Sequence, residues 1–333
     1  MNSNEYHHQT NLPEDDEIDL AELWHAIWSG KLLIIAISAL FAISSVFYAI
    51  NQPNIYQATT LLAPTSEQGG ASGLSKMAGQ FGGLASLAGI NLGGGSSNKV
   101  SLALEILKSR LFLENFIFEH KLLIPLMAAK DWDSKTNTLV MDDEIYNTST
   151  ETWLRDVDAP KKPKPSPWEA FEAFKEILSV ERDKENNMVT ITIEYFSPEV
   201  STQWLLWLVE DINSTMREQD EVEAQNSIDY LTKKLKETQL ADMQTVFYQL
   251  IEEQTKTIML AEVSKEYVLK TIDPANAPEE KAKPRRALIV VLGTMLGGVL
   301  SVFIVFIRYF SNESRKKKLS NISTNASNLT IGK

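Results

Sequence analysis

A chain of 333 residues with 44% apolar and 23% charged side chains is too apolar to stay disordered and too charged to lie wholly in a membrane. Its formal charge of −12 argues against a nucleic-acid partner, whose phosphates demand the opposite sign. The absence of cysteine rules out a thiol nucleophile and fits a body outside the cytoplasm that avoids stray oxidation.

Residues 1–17 are polar and aperiodic, and read as a disordered start. From Ile18 the pattern IDLAELWHAIWSGK brings Leu20, Leu23, Trp24, Ile27 and Trp28 to helical spacing, ahead of a turn at Gly30. Two tryptophans directly before an apolar run belong at headgroup level, and His25 between them is an interfacial side chain rather than a ligand. Leu32 to Ile50 then gives 19 uncharged residues. No basic region precedes this run and no A-x-A-like site follows it, so it reads as a retained anchor, not a cleaved signal.

Ile55–Pro64 has β-branched character and partial alternation, the mark of a strand. Between Gly69 and Gly95 stand ten of the fifteen glycines, with Leu74, Met77, Phe81, Leu84, Leu87 and Ile90 recurring every three or four residues. Neither GxxxxGK[ST] nor a GxGxxG in a strand-helix setting occurs, so this is no nucleotide cradle. It reads as a lipid-near or subunit-contacting segment able to form short helices, or as a plain flexible loop. Ser101–His120 is expected to be one amphipathic helix with Leu104, Leu107, Leu111, Phe112 and Phe116 on one side. Residues 130–158 are polar and acidic. Their carboxylates lack the spacing of a calcium loop and read as a solvated face. Ala159–Trp168 holds four prolines and reads as an extended connector, followed by a helix at 168–178. Two β-like runs around Asp183–Asn187, the second at Met188–Phe196, form a hairpin.

Ser197-Pro198-Glu199 has the form of an N-cap, a first-position proline and a first-turn acid. Beyond it, Glu199–Asp273 contains neither glycine nor proline. A single helix of that length would run roughly 110 Å, so a reversal is placed near Thr238–Asp242, with Tyr267–Ile272 returning as a strand. Pro274, Pro278 and Pro284 then exclude helix and central strand and make a stiff, extended strut. It leads into Ala287–Ile307, 21 uncharged residues, about what a bilayer core of ~30 Å requires. Gly293 and Gly297 share one face of that span. They fit a small-residue packing face or simply the usual glycine content of membrane helices.

Two spans put both ends of the chain on one side. Lys31, Arg308, Arg315, Lys316, Lys317 and Lys318 lie on that side, against Lys281, Lys283, Arg285 and Arg286 on the loop side, a bias that favours cytoplasmic termini. Residues 308–333 are expected to be a short tail, too short for an output module such as a kinase. There is no GxSxG elbow, and no SxxK is placed ahead of a plausible partner set. No acid pair stands out, so catalytic residues, cofactor-binding residues and metal ligands are all expected to be none.

The helix-to-span lead EIDLAELWHAIWSGK, the glycine-rich GQFGGLASLAGINLGGG, the segment ADMQTVFYQLIEEQTKTIMLAEV and the proline run DPANAPEEKAKPRRALIVVLGTMLGG together resemble the Wzz chain-length determinants, polysaccharide co-polymerases of Gram-negative inner membranes. The resemblance runs from about Ile18 to Arg308. The family's Ser-Pro-Lys is replaced here by Lys283-Pro284-Arg285, which keeps the Pro-basic pair and loses the serine. The resemblance implies an α+β fold. Residues 1–30 would be a cytoplasmic N-terminus, 31–50 and 287–307 transmembrane helices, and 51–286 a periplasmic domain with a small membrane-proximal α/β base and a long helical protrusion. It further implies a ring-shaped homo-oligomer, acting without catalysis beside a Wzy polymerase on a lipid-linked polysaccharide to set O-antigen length. The residues it singles out are Pro274, Pro278, Pro284, Arg285, Gly293 and Gly297, with the glycines seating the second span on the first or on the polymerase. Rival readings are a co-polymerase for enterobacterial common antigen, capsule or exopolysaccharide, a two-span periplasmic sensor, and a glycan-acting enzyme.

Overall fold

The computed structural model describes residues 20–65 and 96–330. The glycine-rich segment of 69–95 and the polar start of 1–17 lie outside the described residues. Two compact units emerge, one from residues 1–52 with 285–333 and one from residues 53–284.

The first unit is helical. Helix α1 (Leu20–Ser29) ends at Gly30, where α2 (Lys31–Asn51) begins. It packs with α9 (Arg286–Thr330), which is far longer than the uncharged run that nucleates it. Only Arg286–Ser311 is apolar enough to cross a bilayer, as is α2. Beyond Ser311 the helix continues instead of giving way to an irregular tail. Large apolar side chains such as Leu32 and Ile307 are 78% and 70% exposed, a surface that water does not tolerate over two whole helices and lipid does.

The second unit is built on an antiparallel sheet in the order β6-β7-β1-β8, from β1 (Tyr56–Pro64), β6 (Leu178–Arg182), β7 (Val189–Tyr195) and β8 (Leu269–Asp273). The two central strands pair from Tyr56 opposite Tyr195 to Leu62 opposite Val189. This register sets Ala58 and Leu62 beside Val189, Ile191, Ile193 and Tyr195 on one buried face. On the other face Thr59 and Thr192 hydroxyls meet at 3.2 Å. The hairpin and the return of the last strand to the same sheet match the expectation from alternation.

Helices cover the buried face. The expected single helix at 101–120 is in fact two, α3 (Ser96–Lys108) and α4 (Arg110–Glu119). Ser109 turns to an extended backbone (φ −68°, ψ 149°) and accepts a hydrogen bond from Phe112 N, which caps α4. The break rotates the second half, so Leu113 and Ile117 join Phe112 and Phe116 in the core while Leu111 points outward, 70% exposed. After α5 (Leu123–Ala128), the supposed solvated stretch folds into two small hairpins, β2 (Ala129–Asp133) with β3 (Thr138–Met141) and β4 (Tyr146–Asn147) with β5 (Thr152–Trp153). Its polar side chains are turn-makers: Asp133, Asp142 and Asn147 accept from backbone amides two or three residues on. Helix α6 (Pro167–Ile177) opens with a reciprocal capping box between Ser166 and Glu169, and Pro167 at its first position.

Helix α7 (Pro198–Glu237) runs 40 residues, about 60 Å, and α8 (Ala241–Val263) returns after a break at 238–240, where the reversal was expected. Trp204, Leu205, Leu208, Ile212 and Met216 bury the first half of α7, whereas Ala224 alone is buried after them. Beyond Asp220, which Lys99 and Tyr267 still hold, α7 runs alongside α8, and the two make a helical arm projecting from the α/β base.

Candidate functional site

The predicted residues fall in both units and do not form one site. In the helical unit, Gly293 and Gly297 are one turn apart on α9 and both open on α2. A Cβ at Gly293 would stand 2.6 Å from Ser45 Cβ, and one at Gly297 would stand 2.5 Å from Phe41 Cβ. Neither position has room for a methyl group. Gly298 has more space, with Ser38 Oγ 3.9 Å away. A further close approach, not foreseen, is Gly30, where a Cβ would meet Val305 Cγ1 at 2.5 Å. Three hydroxyls in these apolar helices are satisfied within their own turns: Ser45 donates to Ala42 O, Thr294 to Val290 O and Ser301 to Gly298 O. Of the two arginines at the start of α9, Arg285 is exposed. Arg286 is the one that reaches α2, donating Nε to Ala49 O at 3.0 Å and Nη2 to Gln52 O at 3.4 Å. A guanidinium on the last carbonyls of a helix both satisfies orphan acceptors and answers the negative end of its dipole.

In the α/β unit the three prolines lie on an irregular segment after β8. Pro274 is exposed, Pro278 and Pro284 half-buried, and Ala275 between the first two enters the core. The segment is extended, as its prolines dictate, and its end is pinned. Ile55 N donates to Lys283 O at 2.9 Å, and Ala282 N donates to Ile55 O at 2.8 Å. Lys281 Nζ donates to Asn54 Oδ1 at 3.1 Å, and Lys283 Nζ pairs with Glu194 at 2.5 Å. The Lys283 pair is exposed and adds little stability by itself, but the backbone pairing brings the chain's entry to this unit and its exit side by side.

Polar side chains missed in the sequence hold the base of the arm. Asn213, buried at 2% exposure, accepts from Val268 N and Leu269 N and donates to Val209 O and Leu269 O. It fastens α7 to β8 with every polar atom used. Its signal was present: it stands among Leu205, Leu208, Ile212 and Met216 on the stripe of α7 that faces the sheet. Nearby, His120 Nε2 lies 2.9 Å from Asp211 Oδ2, with its ring stacked on Trp207 at 4.5 Å. Burial, and secondarily Glu119 and Glu210, pushes the Asp211 carboxyl up despite the histidine. Lys99 Nζ reaches Asp220 at 2.6 Å and covers the Tyr267 ring at 4.1 Å, while Tyr267 donates to the same carboxylate at 2.7 Å. Burial opposes the charge on Lys99, yet Asp220 and Tyr267 together hold its amine above the ordinary range. The Tyr267 phenol, mainly through burial, is pushed up to about 12.

These groups are spent on one another across packed elements. A shallow depression in the base is lined by Thr60, Leu205, Val209, Glu210, Lys265 and Thr271. Among the described residues no group of three His, Asp or Glu is placed to hold a metal. What the arrangement offers chemically is attachment: a body whose two ends meet, a pair of apolar helices in close contact, and an arm with open flanks.

Comparison with known proteins gives two partial family matches. The Wzz family of chain length determinant proteins matches residues 16–120. GNVR, a G-rich domain described on tyrosine kinases, matches residues 235–310. The tyrosine-protein kinase etk of Escherichia coli K12 is 41% identical over 66 residues, 19% of this chain and 9% of the kinase, and the etk of E. coli O157:H7 gives the same values. The chain thus spans about a tenth of the curated relatives it matches. Among solved structures, a full-length bacterial polysaccharide co-polymerase is similar at 14% identity and a TM-score of 0.36, covering 89% of this chain and 99% of that one. A fragment of WzzB, polysaccharide co-polymerase from Salmonella Typhimurium, gives 13% identity and 0.32, covering 69% of this chain and 100% of the fragment.

Proposed function

We propose that this chain belongs to the Wzz chain-length determinant family, whose model matches residues 16–120, and that it is a non-enzymatic regulator of O-antigen length in lipopolysaccharide. The observation that carries the reading is the Wzz match across the first span, the first strand of the base and α3–α4. The double tether fits it. With α2 and the apolar part of α9 in the inner membrane, both termini are cytoplasmic and residues 51–286 lie in the periplasm, beside a growing lipid-linked glycan. Copies assembled through spans and arms form a ring, and that ring works with a Wzy polymerase by holding the polymer or the enzyme, a task that needs surface and not a nucleophile. Pro274, Pro278, Pro284 and Arg285 serve as the strut between base and second span, and Gly293 and Gly297 as the seat for the first.

The etk and GNVR matches favour a second reading, in which the glycan is a capsule or exopolysaccharide. Lipopolysaccharide and exopolysaccharide fractions from a deletion strain, each sized by gel, separate the two. Loss of the preferred repeat number in the lipopolysaccharide ladder is the expected result. A change confined to exopolysaccharide supports the second reading, and no change in either overturns both.

A further inference from the structure

We propose that α1 and the part of α9 beyond Ser311 form a docking surface for anionic phospholipid headgroups. Three observations within the helical unit meet there. On α1, Trp24 and Trp28 are 67% and 61% exposed and stacked with ring centroids 6.3 Å apart, a paired indole face left open among the described residues. Lys31 Nζ stands 5.0 Å from the Trp28 ring centroid, so a cation sits at the edge of that face, where α2 begins. Helix α1 is also fixed to α9 at the level of the second span's end. Ala26 is fully buried, and a Cβ at Gly30 would lie 2.5 Å from Val305.

Ten residues beyond Val305, α9 is still helical and carries Arg315, Lys316, Lys317 and Lys318 in consecutive positions. The run starts four residues after Ser311, about 6 Å along the axis, which is inside the range of a charged membrane surface at physiological salt. Indoles at headgroup depth and a basic run that begins within a Debye length are the two halves of an anionic lipid contact. Neutral lipid satisfies only the first.

The competing occupant of the basic run is the acidic stretch Glu14, Asp15, Asp16, Glu17 and Asp19 of the same chain. The lipid is favoured because the exposed indoles need an apolar partner that a carboxylate cluster does not supply.

Full-length protein in detergent, given an equimolar mixture of phosphatidylcholine and phosphatidylglycerol, is re-purified and its retained lipid quantified at low and high salt. At about fivefold in affinity for each engaged base, phosphatidylglycerol is expected to be enriched about tenfold or more. Raised salt should reduce that enrichment, and the quadruple variant R315Q/K316Q/K317Q/K318Q should abolish it. W24A/W28A should lower retention of both lipids alike. Equal enrichment in the wild type and the quadruple variant overturns the proposal. So does a wild type without preference that gains one when the five acids are replaced by amides, since the acidic stretch is then the occupant. The readout involves no glycan, so it stands or falls apart from the length-regulator reading.

Discussion

At the scale of single residues, the base of the arm depends on one amide. Asn213→Ala leaves the amides of Val268 and Leu269 and the Leu269 carbonyl without the partners they now have. Buried polar groups left unpaired cost about 1–3 kcal/mol each at most, so a loss of roughly 2–4 kcal/mol is expected, read as a lower midpoint in thermal or denaturant unfolding. A variant as stable as the wild type would mean the contacts are incidental. Asn213→Asp tests the donors separately, since a carboxylate keeps the acceptors and forfeits the bonds to Val209 and Leu269 carbonyls. A second residue sets an acid limit. Arg155 Nη1 and Nη2 grip both Glu169 carboxylate oxygens at 3.1 and 3.3 Å, the Ser166 amide donates to one of them, and together they lower the Glu169 carboxyl to about 2. A depressed carboxyl contributes stability above its unfolded value near 4.5 and loses it as pH falls toward 2. Unfolding midpoints of Glu169→Gln should therefore lie below the wild type at neutral pH and converge with it through that acid window. Ser166→Ala, which removes the cap itself, should cost about 1 kcal/mol.

At the scale of elements, the sequence was readable where the period was uninterrupted. Both spans, the hairpin, the capped start of α7 and its reversal follow from run length, alternation and the absence of glycine and proline. It was less readable where one side chain overrides the pattern. Nothing in SLALEILKSRLFLENFIFEH forbids a continuous helix, yet Ser109 caps a new one, because the break lets Leu113 and Ile117 share the core with Phe112 and Phe116. The hairpins of 129–153 were hidden because their polar residues serve turns and so look like a solvated face. For the glycines, the sequence left two meanings, and the close approach of α2 to Gly293 and Gly297 is what the packing reading requires. Gly297→Ile or Gly293→Ile must push the helices apart, an overpacking cost of about 1–3 kcal/mol. Static light scattering of the detergent-solubilised protein on heating should show earlier aggregation for both variants, and Gly298→Ala should be nearly silent. Equal behaviour of all three would show that the close contact is not maintained.

At the scale of the whole molecule, the proposed function assigns to the α/β base, its arm and the two apolar helices a role that depends on position. Residue-level electrostatics serve the fold: His120 with Asp211 and Lys99 with Asp220 tie helices together. The glycan in the proposed function rests on the match to residues 16–120, since no residue pattern in the chain encodes a sugar. The measurement that bears most directly on the central claim is the yield and size distribution of the surface polymer in a deletion strain, before and after the intact chain is restored. The account predicts unchanged total repeat units, a preferred length that disappears with the gene, and its return on complementation. Loss of the polymer itself on deletion would contradict it, because a regulator of length is dispensable for making the bonds.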